Sequence, residues 1–436
     1  MPRAYLLLLL GVSAFAWPEP PASPESAPVE RVRRRMAENI AHLPNYTCLE
    51  TIERSVNLPN KGKPLFRDRI HLDVAFIGQT EMFAWPGSNH FEAGLLHELP
   101  LGTGAIGNGG FGGWVSSLFG PSAPVFTPAG ACMVEGRRGL RYSFHVPLRS
   151  STHIIVIGDR QAISAYTGSI CVDADGLDIM TLEVDDEQIP APLVACSERV
   201  RYGRTRVGAG DFLLPQYDEL SAIDSQGNQS RNRTSFTGCE QYTSHSSISF
   251  DTEHESAPEP REAARVRQKT TGEIELSGGI SLDLKLETPI TFEASAVGDA
   301  ITAQLHRRIR ASGVSIPKDA NVSGRIRALE QYFEPKKDFI VGLEFFSLSF
   351  NGKQALFRAR LVGPHLQAVR SRLGDTLPGG DDSGGPVAVA PDETSGLDIL
   401  PAIDSAPGCG LFRVPGASLN LTRGLRMIFE TEGGKP

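Results

Sequence analysis

The segment Asp382-Ser383-Gly384-Gly385-Pro386 has the form of a nucleophile loop: a serine among small residues whose backbone N–H groups can stabilise an oxyanion. Such a serine works only with a histidine base and an aspartate to orient it. His306 and His365 have no strand-end setting suited to that base, and the segment lies in a Pro/Gly/Asp-rich stretch where a rigid site is hard to hold. Asp185 and Asp186 are adjacent, so on a strand they point to opposite faces and suit a solvated turn better than paired acid–base work. There is no HExxH and no histidine pair at helical spacing; His90 and His97, seven apart, are weak metal candidates. The Gly-rich run at 107–113 lacks the Lys-Ser/Thr of a phosphate loop and follows no parallel strand, so it reads as a mobile surface loop. No catalytic residue, metal or cofactor is assigned.

The six cysteines, Cys48, Cys132, Cys171, Cys196, Cys239 and Cys409, include no C-x-x-C, which removes a redox motif and a zinc ribbon. An even number in an exported chain implies disulfides. Cys171 and Cys196 are nearest in sequence, and a bond between them would enclose 24 residues. Closing such a loop removes about 3–4 kcal/mol of unfolded-state entropy. Cys48, on the first strand, is expected to pair with Cys239, near the last strands of the same unit. Cys132 and Cys409 are then free or joined to each other.

Export is read from the N-terminus. Arg3, an apolar run over 5–12 and Ala14-Phe15-Ala16 form a signal peptide spanning 1–16, with its basic region, hydrophobic region and small-residue cleavage site. No later stretch reaches the roughly 18 apolar residues of a membrane span, so no transmembrane segment is expected in the mature chain. A net charge of −8 argues against a nucleic-acid partner. In 436 residues, 40% hydrophobic and 22% charged, the composition is globular and long enough for two or three domains. The 45 Gly and 31 Pro favour many turns and hence β structure.

The elements follow from periodicity. Residues 17–28, rich in Pro, Ser and Ala, form a flexible lead-in. Val29, Val32, Met36, Ile40 and Leu43 share one helix face, and Pro44 ends the helix. From 45 to 250 the period is two. Ile70, Leu72, Val74 and Phe76 oppose Arg67, Arg69, His71 and Asp73; Leu140, Tyr142, Phe144 and Val146 form a second dry row, and Met180, Leu182 and Val184 a third. The pattern predicts one helix and an antiparallel meander of about eight to ten strands, a domain over 29–250. The charged, Pro-bearing stretch 251–271 is a linker. Period two returns in a second antiparallel β-barrel domain over 272–430, with Asn351-Gly352 as a two-residue hairpin turn and a disordered insertion at 364–408. The fold class is therefore mainly β with minor α, and each unit is expected to fold alone.

Residues 168–173 (Gly-Ser-Ile-Cys-Val-Asp) with 177–184, then Arg201-Tyr202-Gly203 and Phe212-Leu213-Leu214-Pro215, resemble the periplasmic lipoprotein-carrier and lipoprotein-sorting proteins over 29–250. The resemblance implies an open half-barrel that holds acyl chains on a concave apolar face. Ser315-Ile316-Pro317-Lys318-Asp319-Ala320 with Val322-Ser323-Gly324-Arg325-Ile326 is similar to the small β-barrels of conjugation and type IV secretion channel proteins over 272–430. The turn glycine of that family is Asp319 here, and the channel-forming helices are missing, so no pore is implied.

The expectation is a secreted, non-enzymatic protein of the bacterial envelope, in the periplasm or at the cell surface, with a binding or scaffold role. Its partner is an apolar or lipid ligand or an envelope protein. The candidate ligand residues are Leu72, Val74, Phe76, Phe83, Trp85, Phe111 and Trp114. One helix about 10 Å wide covers only part of their sheet face. Phe111, Trp114, Leu118 and Phe119, hinged on Gly109, Gly110, Gly112 and Gly113, are either a lid or a permanent part of the core. The alternatives are a structural component of an envelope assembly, and a hydrolase whose groups meet only in the folded chain.

Overall fold

The computed structural model describes residues 27–242, 273–362, 398–399 and 408–432, apart from 60, 79, 89, 93–104, 108–109, 111, 121–122, 158–159, 312 and 334–336. The signal peptide, the linker at 251–271, His97 and the Asp382-Ser383 segment lie outside the described residues.

Helix α1 runs Ala27–His42. It therefore begins within the stretch assigned to the lead-in. Val29, Val32 and Met36 form its buried stripe. Asn39 clamps it to the sheet, donating to the Leu213 carbonyl at 3.2 Å and accepting from the Leu213 N–H at 3.0 Å.

The first β unit contains β1 (Tyr46–Asn57), β2 (Leu65–Ile77), β3 (Thr80–Ala84), β4 (Thr127–Val134), β5 (Arg137–Val146), β6 (Ile154–Ile157), β7 (Arg160–Ile163), β8 (Ala165–Asp173), β9 (Ile179–Glu187), β10 (Leu193–Val207), β11 (Gly210–Asp224) and β12 (Gln229–Gln241). Ten of them make one sheet in the order β3-β2-β1-β12-β11-β10-β9-β8-β5-β4, while β6 and β7 form a separate hairpin. The pairing is antiparallel throughout. The sheet is a meander with one return: β1 closes back on β12. A short helix, α2 (Gly113–Phe119), follows β3.

The register aligns one inner row across eight strands: Ile70, Ile52, Thr234, Asp218, Val200, Leu182, Ile170 and Tyr142. The α1 stripe packs on the β5–β10 half of this face, in one cluster with Tyr142, Phe144, Ile170, Leu182, Val184 and Val200. Two expected rows depart from simple alternation. Leu140 stays 40% exposed at the end of its row. An extra residue on β9, opposite the step from Cys171 to Val172, turns Met180 to the other face, where it packs with Cys132 and Cys171; Ile179 joins the α1 cluster instead.

The second unit contains β13 (Glu273–Glu275), β14 (Ser281–Leu286), β15 (Ile290–Thr291), β16 (Ala300–Leu305), β17 (Ile309–Ala311), β18 (Val314–Ile316), β19 (Asn321–Tyr332), β20 (Asp338–Phe350), β21 (Lys353–Leu356), β22 (Arg358–Leu361), β23 (Asp398–Ile399), β24 (Cys409–Pro415), β25 (Asn420–Leu421) and β26 (Arg426–Glu432). Its main sheet runs β13-β21-β20-β19-β16-β14-β26-β22, with β24 added to β20 and β23 to β24. β20, apolar on both faces, lies at the centre as its sequence requires. Asn351 and Gly352 both take positive φ, the geometry of a primed hairpin turn. Asp319 holds φ +65, a left-handed turn position that an aspartate tolerates better than most residues.

The two units share a continuous core. Val297 bridges the part of β2 that β3 leaves uncovered: the His71 N–H donates to the Val297 carbonyl at 2.8 Å and the Val297 N–H to the Arg69 carbonyl at 2.9 Å. Phe66 packs on Phe292, and Phe292 on Phe339, with centroids 5.5 and 5.0 Å apart.

Disulfides join Cys48 to Cys239 and Cys132 to Cys171, while Cys196 and Cys409 are free thiols. The expected Cys171–Cys196 bond is thus corrected, as is the freedom of Cys132. Cys171 is paired across with Thr181, and Thr181 with Arg201, so Cys196 lies five residues further along β10. That offset is about 17 Å at strand spacing, far beyond disulfide reach. Cys132 instead lies opposite Gly139 on β5, whose partner on β8 is Asp173, two residues from Cys171. A Cβ on Gly139 would come within 3.0 Å of Cys132 Sγ and 2.6 Å of Met180 Cε, so the bare glycine makes room for the bond. Two disulfides are the chemistry of an oxidising compartment.

Candidate functional site

A ten-stranded sheet is about 43 Å across, so α1 leaves most of the inner face to other covers. The second unit takes the β1–β2 end, and the middle is crossed by the glycine-rich segment before α2. A Cβ on Gly110 would stand 2.9 Å from Glu198 Oε1 and 3.0 Å from Val200; one on Gly112 would stand 2.5 Å from the Phe76 ring. No side chain fits there, which is why the strap needs glycine. Glu81 Oε1 accepts the Gly112 and Gly113 N–H groups at 2.5 and 2.8 Å, and the Trp114 indole N–H donates to Glu198 Oε1 at 2.7 Å.

The residues expected to hold a ligand fall into two groups. Leu72, Val74, Phe76 and Phe83 come together on the inner face of β2 and β3, with Val74 directly opposite Phe83. Trp85 sits at their end but serves the junction between the units, its ring 5.5 Å from the Arg325 guanidinium and 4.8 Å from that of Arg327. Trp114 is in the other half, against His153 and Tyr166 at 4.8 and 5.3 Å. All six of these residues are buried, and Phe111 lies outside the described residues.

Between the two apolar halves is a polar patch that sequence reading passed over. Glu50, Asn232, Thr234 and Asp218 are each no more than 1% exposed. Thr234 is directly opposite Asp218 on one side and Ile52 on the other; Asn232 faces Arg54; Leu220 lies between Asn232 and Glu198. Both Glu50 carboxyl oxygens, Asp218 Oδ1, Thr234 Oγ1, both polar atoms of the Asn232 amide and the Tyr202 hydroxyl have no hydrogen-bond partner in the protein. Arg54, opposite Asn232, donates from Nε to Asp68 Oδ1 at 2.7 Å and from Nη2 to the other oxygen, while its Nη1 has no partner in the protein.

Burial, and then the negative charge of Glu81, holds the Glu50 carboxyl well above the usual range. Asp218 is raised by burial and by Glu198, and Glu198 by burial against the opposing Trp114 hydrogen bond. Glu198 and Asp218 also hydrogen-bond each other, an arrangement in which one proton is shared. The signal was legible: Glu50 and Arg54 stand in the dry row of β1 with Tyr46, Cys48 and Ile52, polar residues at buried parity.

Elsewhere the chemistry is sparse. Asp186 and Asp185 do point to opposite faces: Asp186 meets His153 at 3.3 Å while Asp185 is exposed. His90 pairs with Glu92 at 2.7 Å. Burial pushes the Cys409 thiol up to about 12, and Cys196 is raised by burial and by Asp186. Both therefore stay protonated. An open cleft on the second unit is lined by the hydroxyl and amide groups of Asn321, Ser323, Ser347, Ser349 and Asn351 and the Lys353 ammonium, with no carboxylate or histidine in the lining. Among the described residues, no group of three or more His, Cys, Asp or Glu side chains could hold a metal ion. No described helix is long and apolar enough to cross a membrane.

No family model and no curated protein matches the chain. Among solved structures it is similar to a domain described as an outer membrane lipoprotein-sorting protein from Vibrio parahaemolyticus, at 8% identity and a TM-score of 0.26, covering 49% of this chain and 92% of that one. It is also similar to a DUF1329 family protein from Desulfovibrio piger, at 10% identity and a TM-score of 0.26, covering 51% of this chain and 95% of that one. Both likenesses are loose.

Proposed function

We propose that this chain is a non-enzymatic, extracytoplasmic binding protein of the bacterial envelope, and that an amphipathic, largely apolar ligand occupies the inner face of its first sheet. One observation carries this reading: a polar patch buried in the middle of an apolar face, in which both Glu50 oxygens, the Asn232 amide, Thr234 Oγ1 and Asp218 Oδ1 have no protein partner. Burying a polar group without a hydrogen bond costs about 1–3 kcal/mol, and such groups gathered in one place call for a partner that satisfies them. The apolar wall on one side is Leu72, Val74, Phe76 and Phe83; on the other it is Val200, Leu182 and Ile170. The strap crosses between them on two carboxylate anchors, Glu81 and Glu198.

The test is direct. The purified mature chain should enhance the fluorescence of N-phenyl-1-naphthylamine, a neutral apolar probe. A lipid extracted from the protein as isolated should compete with that probe. No enhancement together with no extractable lipid would leave the protein as a scaffold.

A further inference from the structure

The head of the ligand can be read from the charges that would meet it; this step rests on the binding reading above. The patch is contributed by neighbouring strands: Glu50 by β1, Thr234 and Asn232 by β12, Asp218 by β11 and Glu198 by β10. Asn232 and Thr234 are each 1% exposed and have no protein partner; Thr234 lies opposite Asp218 and Ile52, and Asn232 opposite Leu220 and Arg54.

The groups facing this patch from the surrounding elements are mostly acidic as well. Glu81 on β3 anchors the strap, and Asp186 on β9 is beside Glu198. Tyr46 and Tyr202 are neutral at physiological pH, both held above the usual phenol range by burial. The cations are few: Arg54, opposite Asn232, gives Nε and Nη2 to Asp68 and keeps Nη1 without a partner, and His153 approaches Glu198 from the side of Trp114. An anionic head would meet Glu50, Asp218, Glu198 and Glu81 together. A neutral hydroxyl would satisfy one or two acceptors. A primary ammonium offers three donors and a positive charge, which suits several carboxylates and two further acceptors.

We propose that the inner face of the first sheet binds an amine-bearing amphiphile, with its ammonium on Glu50, Asp218 and Glu198 and its alkyl chain along Leu72, Val74 and Phe76. An arriving cation favours the ionised carboxylates, so binding expels protons that these groups otherwise keep.

Isothermal titration of the full mature chain at pH 7, below micellar concentrations, compares dodecylamine, dodecanol and dodecanoate. The amine should bind at least tenfold tighter than the alcohol. Its heat should differ between phosphate and Tris buffers, because protons are released. In Glu50→Gln and in Asp218→Asn the amine should lose its tenfold advantage over the alcohol, with a wild-type circular dichroism spectrum and cooperative guanidinium unfolding certifying the fold. If the alcohol or dodecanoate binds as tightly as the amine, the head assignment is wrong and the apolar binding site stands. If none of the three binds, the site itself is wrong.

Discussion

Replacing Glu50 by Gln keeps the volume and removes one buried acid. Glu50 is fully buried with neither oxygen paired, and its carboxyl is held well above the usual range by burial and by Glu81. In the unfolded chain the same group ionises near pH 4.3. Below that value both states carry the proton, and Glu50 adds no pH dependence. Above it the unfolded state loses the proton while the folded state keeps it. Stability then falls by about 1.4 kcal/mol per pH unit until the folded group ionises too. The amide cannot titrate, so whatever it costs is constant with pH. The unfolding free energy of Glu50→Gln minus that of wild type should therefore rise between pH 5 and pH 7, by up to about 2.7 kcal/mol. Asp218 and Glu198 are present in both proteins and largely cancel in the difference. Guanidinium unfolding followed by tryptophan fluorescence at pH 4, 5, 6 and 7 gives this difference. A flat or falling difference would refute the argument, because it would mean that Glu50 is ionised and satisfied in the folded state.

Two further outcomes follow from the covalent and inter-unit contacts. Peptide mapping without reduction should recover Cys48–Cys239 and Cys132–Cys171. From the chain separations of 191 and 39, removing them singly by Cys→Ser pairs should cost about 5 and about 4 kcal/mol; recovery of a Cys196 crosslink would contradict the register of β8, β9 and β10. Protease cleavage within 251–271 should leave the pieces associated at the native mass, held by Val297 on β2, the 2.5 Å Arg67–Glu330 ion pair and Trp85 beneath Arg325 and Arg327. Separation of the pieces by gel filtration without denaturant would show that the shared core is too weak to hold them.

The sequence by itself determined the elements. Period two in 66–76 and in 281–286 places alternate side chains on opposite faces whatever the rest of the chain does, and β2 and β14 follow from it. The helix stripe at Val29, Val32 and Met36 and the Asn351-Gly352 turn are equally local. What pairs with what is not local. The Cys171 partner depends on register over β4, β5, β8 and β9, and one inserted residue on β9 moved Met180 to the other face. Period two marks Glu50 as facing inward, but nothing in 46–57 says that Asp218, Thr234 and Asn232 stand beside it. Those groups are 168 to 184 residues further along the chain, and only the closure of β1 onto β12 brings them into one patch. Burial in the assembled sheet then decides their protonation, because desolvation is a property of the surroundings and not of the residue.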